Sequence, residues 1–126
     1  MNLEKFKPFN FGEGVPFVSV TLNGLTFNKA VVMKMGFPKF ARLLINDEDK
    51  MIAVQATDEN EDMAVPFYRI HKNKQTSVRW NSRDLLNTIS TMMEWNLHMQ
   101  NFKVEGTFDK SANITVFDLK RAVPLK

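Results

Sequence analysis

The sequence predicts an α+β fold: two β–α–β–β units packed as a pseudo-two-fold single domain. Three observations lead there. The chain has 126 residues, 44% hydrophobic and 25% charged, which suits one globular domain with a core of its own. Strand, capped helix, strand, polar turn and strand follow one another twice along it. Finally, residues 40–54 can be laid over 102–116 without a gap, so that Phe40 meets Phe102, Asp47 meets Asp109, Ile52 meets Ile114 and Val54 meets Val116.

Residues 1–16 read as an irregular N-terminal arm. Phe6, Phe9 and Phe11 alternate there with Lys5, Lys7, Pro8 and Gly12, and the rings are expected to pin the arm to the body, since an exposed phenylalanine forgoes its apolar burial. The first unit spans 17–56. Phe17-Val18-Ser19-Val20-Thr21 alternates and is β-branched, as a strand should be. Asn23-Gly24 marks a turn, because both residues tolerate positive φ, and Leu25-Thr26-Phe27 resumes the extended chain. Asn28 is placed to cap a helix over Lys29–Met35, with Gly36 as its stop and Pro38 barring continuation. Phe40–Ile45 and Met51–Ala56 then form a hairpin around a polar turn.

Residues 57–75 join the units: an acidic linker at 57–63, a strand over Val65–Ile70 that Pro66 marks as an edge, and a basic turn. The second unit spans 76–126. It opens with a strand over Thr76–Trp80. Asn81 or Ser82 caps a helix over Arg83–Trp95, whose buried side carries Leu85, Leu86, Ile89, Met92 and Met93. A hairpin of 101–108 and 113–119 closes the unit. Trp80 and most methionines are read as core or rim.

Charge is unevenly spread. The net charge of +3 divides into +4 over residues 1–46, −6 over 47–63 and +5 over 64–126. From Arg69 to Arg83 run Arg69, Lys72, Lys74, Arg79 and Arg83 with no acid between them, a stretch able to attract phosphate.

Several chemistries are not expected. No nucleophile elbow, phosphate-binding loop or HExxH motif occurs, so neither an enzyme activity nor a cofactor is anticipated. The absence of cysteine rules out a disulfide framework and a thiolate metal site, and suits the cytoplasm. No apolar run approaches the ~18 residues of a membrane span, and the first residues lack a signal peptide's apolar segment. His98 and Glu94, four residues apart, read as a surface pair. Asp58, Glu59, Glu61 and Asp62 lack the central glycine and spacing of a calcium loop, so no metal site is expected.

The first unit resembles the AbrB/MazE swapped-hairpin (SpoVT-AbrB type) module. The matching stretches are Asn23-Gly24-Leu25-Thr26-Phe27, then Asn28-Lys29-Ala30-Val31 up to Met35-Gly36, then Phe40 to Val54. The second unit is similar in element order only, which gives two tandem copies as in the MraZ type. The resemblance implies interleaved hairpins around one core. It also implies a transcription regulator contacting double-stranded DNA through basic residues near the first strand's turn and the helix start. The DNA-binding residues then expected are Asn28, Lys29, Lys34, Lys72, Lys74, Arg79 and Arg83, with Asn23 and Asn81 as further readers of base edges. The family usually carries an arginine just after the glycine and a proline before the helix; Leu25 and Asn28 stand near those places here. The chain also has the look of a small bacteriophage protein of a Gram-positive host. The alternative, suggested by Leu25 and the acidic block, is a small protein-binding module or inhibitor acting on a host protein without DNA. Two units per chain allow a monomer, and the strand edge near Pro66 allows a homodimer.

Overall fold

The structure, a computed structural model, describes residues 2–7, 14–70 and 76–125. Among them run β1 (Phe17–Thr21), β2 (Gly24–Phe27), α1 (Lys29–Lys34), β3 (Phe40–Asn46), β4 (Met51–Thr57), β5 (Val65–Pro66), β6 (Val78–Trp80), α2 (Arg83–Met93), β7 (Asn101–Asp109), β8 (Ile114–Asp118), a single 3-10 turn (Leu119–Arg121) and β9 (Val123–Leu125). The strands form one curled, wholly antiparallel half-barrel in the order β5-β3-β4-β8-β7-β1-β2-β6, with β9 added on β7. The architecture is thus mixed helix and sheet, as the sequence predicts.

Side-chain alternation explains the curl. Val18, Val20, Leu25, Phe27, Ile52, Val54, Val104 and Phe117 point inward and are at most 1% exposed. An aromatic cluster closes the interior. Phe27 lies 5.7 Å from Phe67, 5.2 Å from Trp80 and 5.9 Å from Phe117, centroid to centroid. The end strands of the sheet meet through this cluster. Trp80 Nε1 donates to the Pro66 carbonyl at 3.0 Å, and the two rings Phe67 and Trp80 meet edge-on at 5.6 Å. Gly106 leaves room for the filling: a Cβ there would lie 2.6 Å from the Phe117 ring.

The helices cover the interior. Asn28 caps α1 by accepting from Val31 N, and Ala30, Val31 and Val32 are buried. Gly36 follows with φ 81°, as expected of a helix stop. Ser82 caps α2, which buries Leu86 and Ile89. This helix ends earlier than its spacing suggests. Glu94 takes a left-handed φ of 56°, and the chain turns back so that the Trp95 ring stacks on Phe102 at 4.1 Å.

Other departures have clear physical reasons. The turn between β1 and β2 is Leu22-Asn23, and Gly24 already pairs with Thr21. Its φ of 133° and a Trp80 carbonyl 2.3 Å from any Cβ explain the glycine better than a turn does. The edge strand is confined to Val65–Pro66, although Phe67 N and Tyr68 N still donate to the carbonyls of Lys39 and Pro38. β9 lies where no element is predicted, and the 3-10 turn takes Leu119 from the end of the strand predicted over 113–119. Phe6 is 71% exposed rather than pinned, and Phe9 and Phe11 lie outside the described residues.

The two hairpins also correspond differently from the gapless alignment. Asn46 pairs with Met51 and Asp109 with Ile114, so each loop holds four residues. The last residue of each, Lys50 and Asn113, has positive φ. Asn46 therefore matches Asp109, one position off the alignment on identities. That single slip exchanges the faces of every strand residue. Ile52 and Val54 are buried, as are their true counterparts Thr115 and Phe117, whereas Ile114 and Val116 are half-buried.

Candidate nucleic-acid interface

Strand alternation also sets what faces outward. Arg79 pairs with Thr26, Thr26 with Ser19, and Ser19 with Lys103, giving one row across β6, β2, β1 and β7. Their sequence neighbours Val18, Val20, Leu25, Phe27, Val78 and Val104 are buried, so the row lies on the outer face. With strands ~4.8 Å apart, the backbones of Arg79 and Lys103 lie three strand spacings, about 14 Å, apart along the sheet. Arg79 Nε donates to Thr26 Oγ1 at 3.0 Å, which leaves the outer end of the guanidinium open. Lys103 Nζ sits 4.2 Å above the Phe17 ring. Neither cation pairs with a described carboxylate; Glu105 stands in the next row, opposite Phe17.

The predicted site residues fall in different settings. Lys29 and Arg83 are both exposed, each the first residue of its helix. They do not sit side by side. β2 and β6 run antiparallel, so α1 starts beyond the Phe27–Val78 pair and α2 beyond the Leu25–Trp80 pair. Arg79 lies between them on the same ribbon.

Asn28 is committed to the fold. Its Oδ1 accepts from Phe17 N at 3.0 Å and Val31 N at 3.2 Å, and its Nδ2 donates to the Val15 carbonyl at 2.8 Å. It ties the start of β1 to the start of α1 and has no acceptor left for a base. Lys34 is half-buried in the last turn of α1, where a cation complements the helix dipole. Lys72 and Lys74 lie outside the described residues. Asn23 is exposed in the β1–β2 turn.

Lys103, Ser19 and Thr26 escape sequence reasoning. Alternation alone marks all three as outward; what it cannot supply is that β1 neighbours β7.

Beyond the ribbon's Arg83 end opens a cleft of about 910 Å³. Arg83, Leu86, Asn87 and Ser90 form one wall, at the i, i+3, i+4, i+7 spacing of a single helix face. The chain after α2 supplies the other wall through Trp95, Asn96 and His98, and Asn81 stands at the rim. No salt bridge joins His98 to Glu94. No group of three or more metal-ligating side chains converges among the described residues. No helix among them is long and apolar enough to cross a membrane. Neither a family model, nor a curated protein, nor a solved structure matches the chain.

Proposed function

We propose that this chain binds nucleic acid through the outer face of β6, β2, β1 and β7. One observation carries the proposal: the row Arg79–Thr26–Ser19–Lys103 sets two cations at the ends of two hydroxyls, with no carboxylate in the row. Cations neutralise phosphate and release counterions, while hydroxyls donate to phosphate oxygens and fix register. Lys29 and Arg83 extend the cationic line to both ends of the β2–β6 ribbon. Asn28 drops out of the contact set, and DNA regulation is the biological setting such a surface suits.

The two-unit architecture belongs to the same reading. β2 with β6 and β4 with β8 pair across the units, and the equivalent four-residue loops support a pseudo-two-fold origin of the swapped-hairpin kind.

The test is a binding titration against labelled DNA at several salt concentrations. Each lost phosphate contact reduces the log–log salt slope by ~0.7–0.9, so Arg79→Gln with Lys103→Gln should flatten it by about 1.5. Absence of binding at low salt, or an unchanged slope in the double variant, refutes the proposal. A second reading, a protein-binding module, is favoured by a groove of about 510 Å³ between Phe37, Phe40, Tyr68 and Ile70. Phe37 exposes its ring there with φ at 56°, a conformation costly for a bulky residue.

A further inference from the structure

From the cleft beside α2 we infer that the favoured nucleic acid carries an unpaired base, and that this cleft takes one nucleotide unit of it. The inference rests on the proposed outer-face reading and names its substrate class.

The chemistry of the walls selects the ligand. Among the described residues no carboxylate lines the cleft, and Arg83 brings a guanidinium, so an anion is preferred to a cation. Three carboxamides, Asn81, Asn87 and Asn96, offer paired donors and acceptors, which is what the edge of a heteroaromatic base presents. The Asn81 and Asn87 amides and the Arg83 guanidinium form no hydrogen bond with the described protein, and Asn96 uses only its Oδ1, on His98 N at 3.1 Å. The indole of Trp95 is half-buried and held flat by Phe102, with an interplanar angle of 16°. Its face away from Phe102 would be the platform on which a base stacks. The volume of about 910 Å³ falls within the ~300–1,000 Å³ of small-ligand sites.

Position makes the cleft part of the surface. Asn81 follows β6, two residues after Arg79, so a backbone tracked by the outer row reaches the cleft mouth at Asn81 and Arg83. Arg83 would hold the phosphate, Trp95 the face of the base and the asparagines its edge. In a duplex that edge is already paired, so the cleft discriminates for a single strand.

The chain has two tryptophans, so Trp80→Phe leaves Trp95 as the sole indole reporter. If that variant does not fold, the difference spectrum between the native chain and Trp95→Phe gives the same signal. The probes are adenosine monophosphate, a single-stranded adenine dodecamer and a blunt hairpin duplex. The single strand should quench Trp95 and bind at least tenfold more tightly than the duplex. Asn87→Ala should weaken it by about tenfold, and Trp95→Ala by between about 5- and 150-fold, the range of stacking on an aromatic ring.

Two results overturn the cleft while sparing the outer face. One is a single strand that binds and depends on Arg79 and Lys103, yet leaves Trp95 emission and the Asn87→Ala affinity unchanged. The other is a duplex that binds as tightly as the single strand. If no polymer binds at low salt but the mononucleotide quenches Trp95 in an Asn87-dependent way, the cleft stands as a nucleotide site and the outer-face reading falls. If nothing quenches or binds, both fall.

Discussion

Replacing Gly24 by alanine tests the close backbone approach between β2 and β6. An added Cβ would lie 2.3 Å from the Trp80 carbonyl oxygen and 3.0 Å from Asn81 Cα, both backbone atoms that cannot rotate away. Overpacking of this kind typically costs ~1–3 kcal/mol. The φ of 133° adds a conformational penalty of ~1–3 kcal/mol for a residue with a Cβ. The expected loss is therefore about 2–6 kcal/mol, against a total stability of ~5–15 kcal/mol for a domain. Gly36→Ala supplies the comparison. Gly36 also has positive φ, 81°, but nothing lies within 4 Å of its Cβ position, so only the left-handed penalty of ~1–2 kcal/mol applies. Urea unfolding followed by tryptophan fluorescence measures both. The reasoning is refuted if Gly24→Ala costs no more than Gly36→Ala, because β2 and β6 would then not be held at the described separation.

Three further outcomes are expected. Thr115 is fully buried and its hydroxyl has no partner, so Thr115→Val, which keeps the shape, should stabilise by ~1 kcal/mol and raise Tm by about 3–5 °C in a thermal melt; a lowered Tm would show that the hydroxyl is satisfied in solution. Asn28→Ala removes a helix cap and two ties to the 15–17 segment. It should cost at least ~1–2 kcal/mol in urea, while the folded variant keeps its affinity for nucleic acid. Asp118 is held below the usual carboxylate range by its hydrogen bond to the Lys120 side chain, despite some desolvation. Its contribution is thus full above the unfolded-state pKa of ~3.9 and is lost as pH falls through the lower folded value. The urea midpoint of Asp118→Asn should fall less on acidification through that window than that of the native chain.

Local chemistry was legible in the sequence wherever neighbours along the chain determine it. Asn28 caps α1 and Gly36 stops it because cap and stop are built from a residue and the few beyond it. The hairpins of β3–β4 and β7–β8 follow from alternation and polar loops. Contacts between distant segments were not legible. The identities Ile52–Ile114 and Val54–Val116 suggested a register one residue off, since identity carries no information about which face a strand residue takes. Trp95 reads as the end of a helix, and its stacking on Phe102, after the chain turns back at Glu94, is a contact that helical spacing does not disclose. The interface shows the same division. Arg79 and Arg83 stand out in a run of basic residues, whereas Lys103 joins them only because β1 lies between β2 and β7.

The long strand β7 gives the molecule a particular order of assembly. Its first half pairs with β1 on one side and β9 on the other, and its second half with β8. Val18 must therefore wait for Val104 before the β1–β7 ladder can form, although β1 is made well before β7. Contacts so distant in sequence slow folding, because the loop must close before any ladder energy offsets its entropy. Until then β1 has only β2 beside it, in a short hairpin marginal in water, and Val18 and Val20 lack the strand that completes their cover. Chains cut short before β7 should accordingly aggregate rather than fold as a smaller unit.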